Sequence, residues 1–150
     1  MTAEEKVQSD LVNKFKFLEN KVRVQRARRI FAEVEYGNFS EVFNYAVKTL
    51  EFNALLTISG LDEGSVFGIY YHIEHKSGVI LNIKTSVPKE NHVLNTITGY
   101  FPSADAYERE LVDLFGMNVK GLKEGKRYPL PDDWPQGQYP LRKDWKPNEK

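Results

Sequence analysis

Apolar positions recur at helical spacing near the start of the chain. Val7, Leu11, Phe15 and Leu18 are separated by 4, 4 and 3 positions, which predicts an amphipathic helix over residues 4–19. From residue 22 the period shortens to two. Ile30, Ala32, Val34 and Tyr36 alternate with Arg29, Phe31, Glu33 and Glu35, so one strand is expected over 22–36, ended by Gly37-Asn38. Ser40 then stands where it can cap a helix over 40–50, with Val42, Phe43, Ala46, Val47 and Leu50 as its apolar face.

Three further strands are expected over 54–59, 66–74 and 79–87, linked by the short polar stretches 60–64 and 76–78, an arrangement that suits an antiparallel meander. Pro88 closes the last. Two helices follow over 91–99 and 103–115, divided by Pro102, with Ser103 as the N-cap of the second and Gly116 just past its end. The order predicts an α+β fold: a largely antiparallel four-stranded sheet with helices packed on one face.

Beyond Gly116 both periods vanish. Five of the seven prolines fall there with both tryptophans, so this is no regular element, and it is too aromatic for a flexible linker. The chain therefore divides into an α+β domain over 1–116 and an irregular, proline- and aromatic-rich docking tail over 117–150. Tyr128, Trp134, Tyr139 and Trp145 need apolar cover from the folded domain and a large partner subunit, so the tail is expected to be largely mobile in the free chain and largely ordered in the complex.

Composition narrows the chemistry. At 150 residues the chain fits one domain with an appendage, no apolar run approaches a bilayer span, and residues 1–20 are too charged for a signal peptide. With no cysteine, disulfides, thiolate metal sites and cysteine nucleophiles are excluded. His72 and His75 lie three apart on a strand, on opposite faces, which does not suit a shared metal. No glycine-rich phosphate loop is present, so no metal, flavin or nicotinamide is expected in this chain. Lys plus Arg equals Asp plus Glu at 21 each, which argues against a nucleic-acid partner. The charge is nevertheless segregated: basic residues dominate 1–30 by 8 to 4 and 120–150 by 8 to 5, whereas acidic residues dominate 31–119 by 12 to 5. Either chance segregation on a solvated surface or several distinct contact surfaces accounts for that.

The densest charged cluster is Glu108-Arg109-Glu110 with Asp113. Arg109 lies four residues from both Asp105 and Asp113, so both carboxylates can reach its guanidinium along one helical face. An ion-pair ladder is the structural reading; the catalytic one, two carboxylates as acid and base, lacks any complementary group nearby. In the tail, Pro140-Leu141-Arg142-Lys143-Asp144-Trp145 sets cations among apolar residues on a proline-stiffened backbone, a composition typical of interfaces.

The run Glu108-Arg109-Glu110-Leu111-Val112-Asp113-Leu114-Phe115-Gly116, followed by Pro131-Asp132-Asp133-Trp134 and Pro140-Leu141-Arg142-Lys143-Asp144, resembles the 30-kDa subunit family of respiratory complex I. The likeness is specific over about 101–145. Where the respiratory form is expected to carry Gly-His-Pro, Gly121 is followed here by Leu122-Lys123 and Gly137 by Gln138-Tyr139-Pro140. The tail is more similar to the corresponding subunit of membrane-bound, energy-converting NiFe hydrogenases. The resemblance implies a cofactor-free hydrophilic scaffold that docks on the large catalytic subunit and meets a small iron–sulfur subunit. The NiFe centre and iron–sulfur clusters would belong to those neighbours. It further implies a place on the cytoplasmic side, peripheral to the membrane and attached only through partners. Glu108, Arg109, Asp113, Tyr128, Trp134, Tyr139, Pro140, Leu141, Arg142, Lys143, Asp144 and Trp145 are the expected partner-binding residues. The same role in an NADH:quinone oxidoreductase, or a stand-alone interaction domain, are the alternatives.

Overall fold

A computed structural model describes residues 1–125 and 127–147. Lys126 and residues 148–150, part of the expected tail, lie outside the described residues. The chain forms helix α1 (Ala3–Lys14), a 3-10 turn (Lys16–Leu18), strands β1 (Val22–Arg26) and β2 (Arg29–Glu33), helix α2 (Tyr36–Lys48) and strands β3 (Ala54–Asp62), β4 (Val66–Glu74) and β5 (Ile80–Pro88). A short strand β6 (Leu94–Asn95), helix α3 (Ala104–Phe115) and a short strand β7 (Val119–Lys120) complete it. The main sheet is five-stranded, in the order β1-β2-β5-β4-β3. Although β3 runs on to Asp62 through part of the expected link 60–64, the mixed α+β class and the succession of β3, β4 and β5 as sheet neighbours stand as expected.

The expected count of four strands does not. The run 22–36 is a hairpin, turned at Ala27-Arg28 with Arg28 at φ 60°, and β2 then pairs with β5 in parallel, Ile30 opposite Leu81 and Ala32 opposite Ile83. Neither glycine nor asparagine marks this turn. It is held instead from α1, where the Glu4 carboxylate accepts the Arg28 N–H at 2.6 Å. The start of α1 is fixed by a capping box, Thr2 and Glu5 each bonding the other's backbone N–H.

Helix α2 begins earlier than expected, at Tyr36, so Gly37-Asn38 lies in its first turn and Ser40 is interior rather than a cap. Tyr36, Phe39 and Phe43 stack along it, at 6.0 and 5.1 Å between ring centres, so aromatic packing on the first turn outweighs the turn-forming dipeptide. The expected helix over 91–99 is absent. There the Ile97 N–H is taken by the Glu108 carboxylate at 3.0 Å instead of a carbonyl one turn back, and β6 pairs in parallel with β7. Ser103 does occupy the N-cap of α3 but makes no side-chain cap bond, while Gly116 ends the helix in the left-handed region at φ 72°.

By contact the chain resolves into two compact units, Met1–Thr57 with Ile69–Ser86, and Ile58–Gly68 with Val87–Lys150. In the first, Phe39 and Phe43 of α2 pack on Tyr71 at 4.6 and 5.8 Å, over a core that includes Leu11, Ile30, Val42, Ile73 and Leu81. In the second, Leu111 and Phe115 of α3 close on Gly60, where an added Cβ would stand 2.8 Å from each, and Phe115 meets Phe67 edge-on at 5.9 Å. Ile97, Ala104 and Met117 fill the rest.

Candidate functional site

Every residue expected to bind a partner lies in the second unit, on or around α3. The helix turns its charged residues to different tasks. Glu108 points inward, only 1% exposed, and accepts the Ile97 N–H and the Thr96 hydroxyl. Burial pushes its carboxyl above the usual range, against the pull of those two bonds, with nearby Asp105 adding to the rise. Its role is to fix the segment after β6.

Arg109 donates to Asp105 twice, at 2.6 and 3.2 Å, and to the Lys123 carbonyl at 2.5 Å. It does not bridge to Asp113. Side chains on a helix lean toward its N-terminus, which carries Arg109 toward the carboxylate before it and away from the one after. Asp113, nearly buried, accepts Arg127 Nε at 3.2 Å and the Leu130 N–H at 3.0 Å, and so anchors the start of the tail. Asp105 is half-exposed, so Arg109→Ala should lower stability by only about 1 kcal/mol in a denaturant titration. A loss near 3 would mean the pair is sealed from water.

The tail returns to the C-terminal end of α3. That end has free carbonyls, and the tail meets them: the Leu141 N–H donates to the Leu114 carbonyl at 3.0 Å and Arg142 Nε to the Phe115 carbonyl at 2.6 Å. The Arg142 cation is also well placed for the negative end of the helix dipole, and its guanidinium sits between two rings, 5.3 Å from Phe67 and 5.1 Å from Tyr139. Tyr139 lies flat on Gly116, whose missing Cβ would stand 2.5 Å from the ring. A glycine is thus required there twice, for its positive φ and for the ring above it.

One residue further the chain reaches Asp62, at the end of β3. Asp62 is 2% exposed and accepts Lys89 Nζ at 2.7 Å, the Lys143 N–H at 2.8 Å and the Gly64 N–H at 2.9 Å. Burial favours the neutral carboxyl, but these bonds and the Lys89 charge outweigh it and hold the group down to about 2. Asp144, itself exposed, adds a longer contact to Lys89 at 3.8 Å.

Trp134 and Trp145 pack on one another at 6.1 Å, and Gln138 serves both indoles, its carbonyl at 2.8 Å and its side-chain oxygen at 2.9 Å. Arg127 closes this corner by donating to the Trp134 carbonyl. The described tail residues are therefore packed on the chain's own α3 and Asp62, so the folded domain supplies part of the cover they need. Apart from Met117, which belongs to the core, none of them is buried, however. Trp134, Tyr139, Pro140, Arg142 and Trp145 remain half-exposed, Lys143 and Asp144 exposed, and Tyr128 and Leu141 leave 49% and 52% of their surface open. The outer side of the docked tail is an apolar and charged surface without cover, as in protein interfaces.

Sequence reasoning missed Asp62, Lys89, Arg127 and Gln138. Asp62 had a signal: it continues the inward positions Ile58 and Gly60 of its strand, and an acid in such a place requires partners.

The family described as "Respiratory-chain NADH dehydrogenase, 30 Kd subunit" matches residues 32–150. A subunit of the F(420)H(2) dehydrogenase of Methanosarcina mazei is 30% identical over 138 residues, covering 90% of this chain and 87% of that protein. The membrane-bound hydrogenase subunit beta of Pyrococcus furiosus is 32% identical over 124 residues, covering 79% of this chain and 70% of that protein. Among solved structures, a chain of the membrane-bound sulfane sulfur reductase, an archaeal respiratory membrane complex, shares the fold with a TM-score of 0.81 at 24% identity, covering 95% of this chain and 85% of that one. The matched region contains α3 and the tail anchored on Asp113, Gly116 and Asp62's partner Lys143, and on that extent of sequence the chain belongs to the respiratory-chain NADH dehydrogenase 30-kDa subunit family.

Proposed function

We propose that the chain is a hydrophilic, non-catalytic scaffold subunit of a membrane-bound, ion-translocating oxidoreductase of the energy-converting NiFe hydrogenase branch. It sits on the cytoplasmic side and docks on the large catalytic subunit beside a small iron–sulfur subunit. The observation that carries this reading is the docked tail: an irregular segment pinned to the end of α3, with Tyr128, Leu141, Lys143 and Asp144 left facing outward. A segment fixed on its inner side and open on its outer side loses little entropy when a partner covers it.

With no cysteine in its sequence, the chain offers no thiolate ligands for electron-relay clusters, so metal centres are assigned to neighbouring subunits. Among the described residues no helix is long and apolar enough to cross a membrane, and attachment is assigned to partners. The Tyr139-Pro140 step in place of His-Pro favours the hydrogenase branch. The family description itself favours a second reading, the same role in an NADH:quinone oxidoreductase.

Affinity purification of the tagged chain from native membranes tests the reading. A co-purifying large subunit with paired Cys-x-x-Cys motifs is the expected result; a large subunit without them selects the quinone-reducing branch, and a chain recovered alone overturns the scaffold role. Pure, refolded chain is expected to hold no stoichiometric iron, zinc or flavin, and finding any of them would defeat the assignment of cofactors to neighbours.

A further inference from the structure

In the first unit, the strand face opposite Tyr71 is only half-covered and carries a connected row of side chains. The Arg23 guanidinium lies 4.5 Å from the Phe31 ring centre, Phe31 lies 6.4 Å from Tyr70, and Tyr70 stacks parallel to His72 at 6.3 Å. Lys84 approaches Tyr70 at 5.6 Å, and His72 is tied to Asn82 at 2.6 Å. The row crosses β1, β2, β5 and β4. Aromatic rings interleaved with cations are the residues enriched at protein interfaces, and solvated sheet faces have no need of them.

Beside the row lies an open cavity of about 310 Å³, whose lining includes Gln25, Arg26, Arg29, His72 and Asn82 together with Ile80. Its walls are rich in hydrogen-bond donors. Arg26 and Arg29 are register partners at the end of the β1–β2 hairpin, whose turn is bonded to Glu4, so their backbone positions are set in advance. Across the face, Arg23, Arg26, Arg29 and Lys84 stand against Glu33 and Glu74, a local excess of cations in a chain with no net charge. The two acids on the same face disfavour a polyphosphate, whereas a protein segment with spaced carboxylates and apolar residues matches both the cations and the rings.

We propose that this face is a second interface, on which an acidic segment of a neighbouring subunit is seated, its carboxylates received by Arg26 and Arg29 and its apolar groups by Phe31 and Tyr70. The inference rests on the chain being a subunit of a larger assembly, and the test separates the two.

The complex is purified from native membranes with the photo-crosslinking analogue p-benzoylphenylalanine in place of Phe31, irradiated, and the joined peptide sequenced. The expected product is a peptide of another subunit in which Asp and Glu outnumber Lys and Arg. Arg26→Glu with Arg29→Glu is expected to lower its yield at least tenfold while the melting temperature of the isolated chain stays within error. The milder Arg26→Gln with Arg29→Gln pair is expected to lower it several-fold and serves if the reversal unfolds the hairpin. An intact complex with no cross-link overturns the interface and leaves the scaffold role standing. So does a cross-link to a basic peptide, to nucleic acid or to a second copy of this chain, or a yield that neither pair changes. A chain that co-purifies with nothing overturns both.

Discussion

Asp62→Ala is expected to lower the stability of the isolated chain by roughly 3 kcal/mol, because it leaves the ammonium of Lys89, itself 13% exposed, with the longer contact to exposed Asp144 in place of its close partner, and leaves two backbone N–H groups without an acceptor. Few single changes in this protein should have a larger effect. Lys89→Met in the Asp62→Ala background should recover part of the loss, since removing both partners leaves no buried charge unpaired; a coupling of about 2 kcal/mol is the expected result of the cycle. Coupling near zero would show that water already serves Lys89. The same node sets an acid limit. The Asp62 carboxyl is held at about 2, below its ordinary value, so its contribution is complete above about pH 4 and is lost as the pH falls toward 2. A pH series of denaturant midpoints should show that decline in the native chain and a shallower one in Asp62→Asn.

Deleting residues 136–150 is expected to affect both stability and assembly. The deletion uncaps the Leu114 and Phe115 carbonyls, removes a hydrogen bond from Asp62 and uncovers Gly116, and at about 1 kcal/mol for each lost bond the loss is roughly 3 kcal/mol before exposed apolar area is counted. Assembly should fall with it, since the outward residues Leu141, Lys143 and Asp144 leave together. Gly116→Ala separates the two effects. It keeps every tail residue but drives a methyl into Tyr139 and places a Cβ at φ 72°, so the tail should lift, become cleavable by protease, and lower recovery of the complex. A truncated chain that is as stable as the intact one and assembles normally would remove the tail from both roles.

Much of this is legible in the sequence where one physical cue acts alone. The alternation of Phe67, Ile69, Tyr71 and Ile73 places β4 at its observed limits, and Gly116 ends α3 as its chemistry requires. Elements escape sequence reasoning where a distant contact overrides a local cue. The turn at Ala27-Arg28 carries no turn residue because Glu4 supplies the hydrogen bond that holds it. Residues 91–99 have helical spacing, yet the Glu108 carboxylate takes the Ile97 N–H and a helix cannot form through it. Within the site, α3 and the tail are legible as adjacent charges and aromatics, but not as joined. Spacing offers Arg109 one acid too many, because it does not say which way a side chain leans. Asp62 escapes notice because its partner Lys143 is 81 positions away.

That separation has a consequence for the order in which the protein is made. A ribosome adding roughly 5–20 residues per second needs about 4–16 s to pass from Asp62 to Lys143, 81 positions on. Similarly, Ile30 cannot gain the bond from Asn82 to its carbonyl until 52 further positions have been translated. The emerging chain therefore carries a hairpin without its parallel neighbour, and then an aspartate without its last donor. Contacts of such long range are made slowly, and the nascent intermediate is the form most exposed to chaperones and proteases. Since the tail that completes Asp62 also carries the outward surface proposed for docking, a chain able to recruit a partner through it is one whose translation has already passed residue 143.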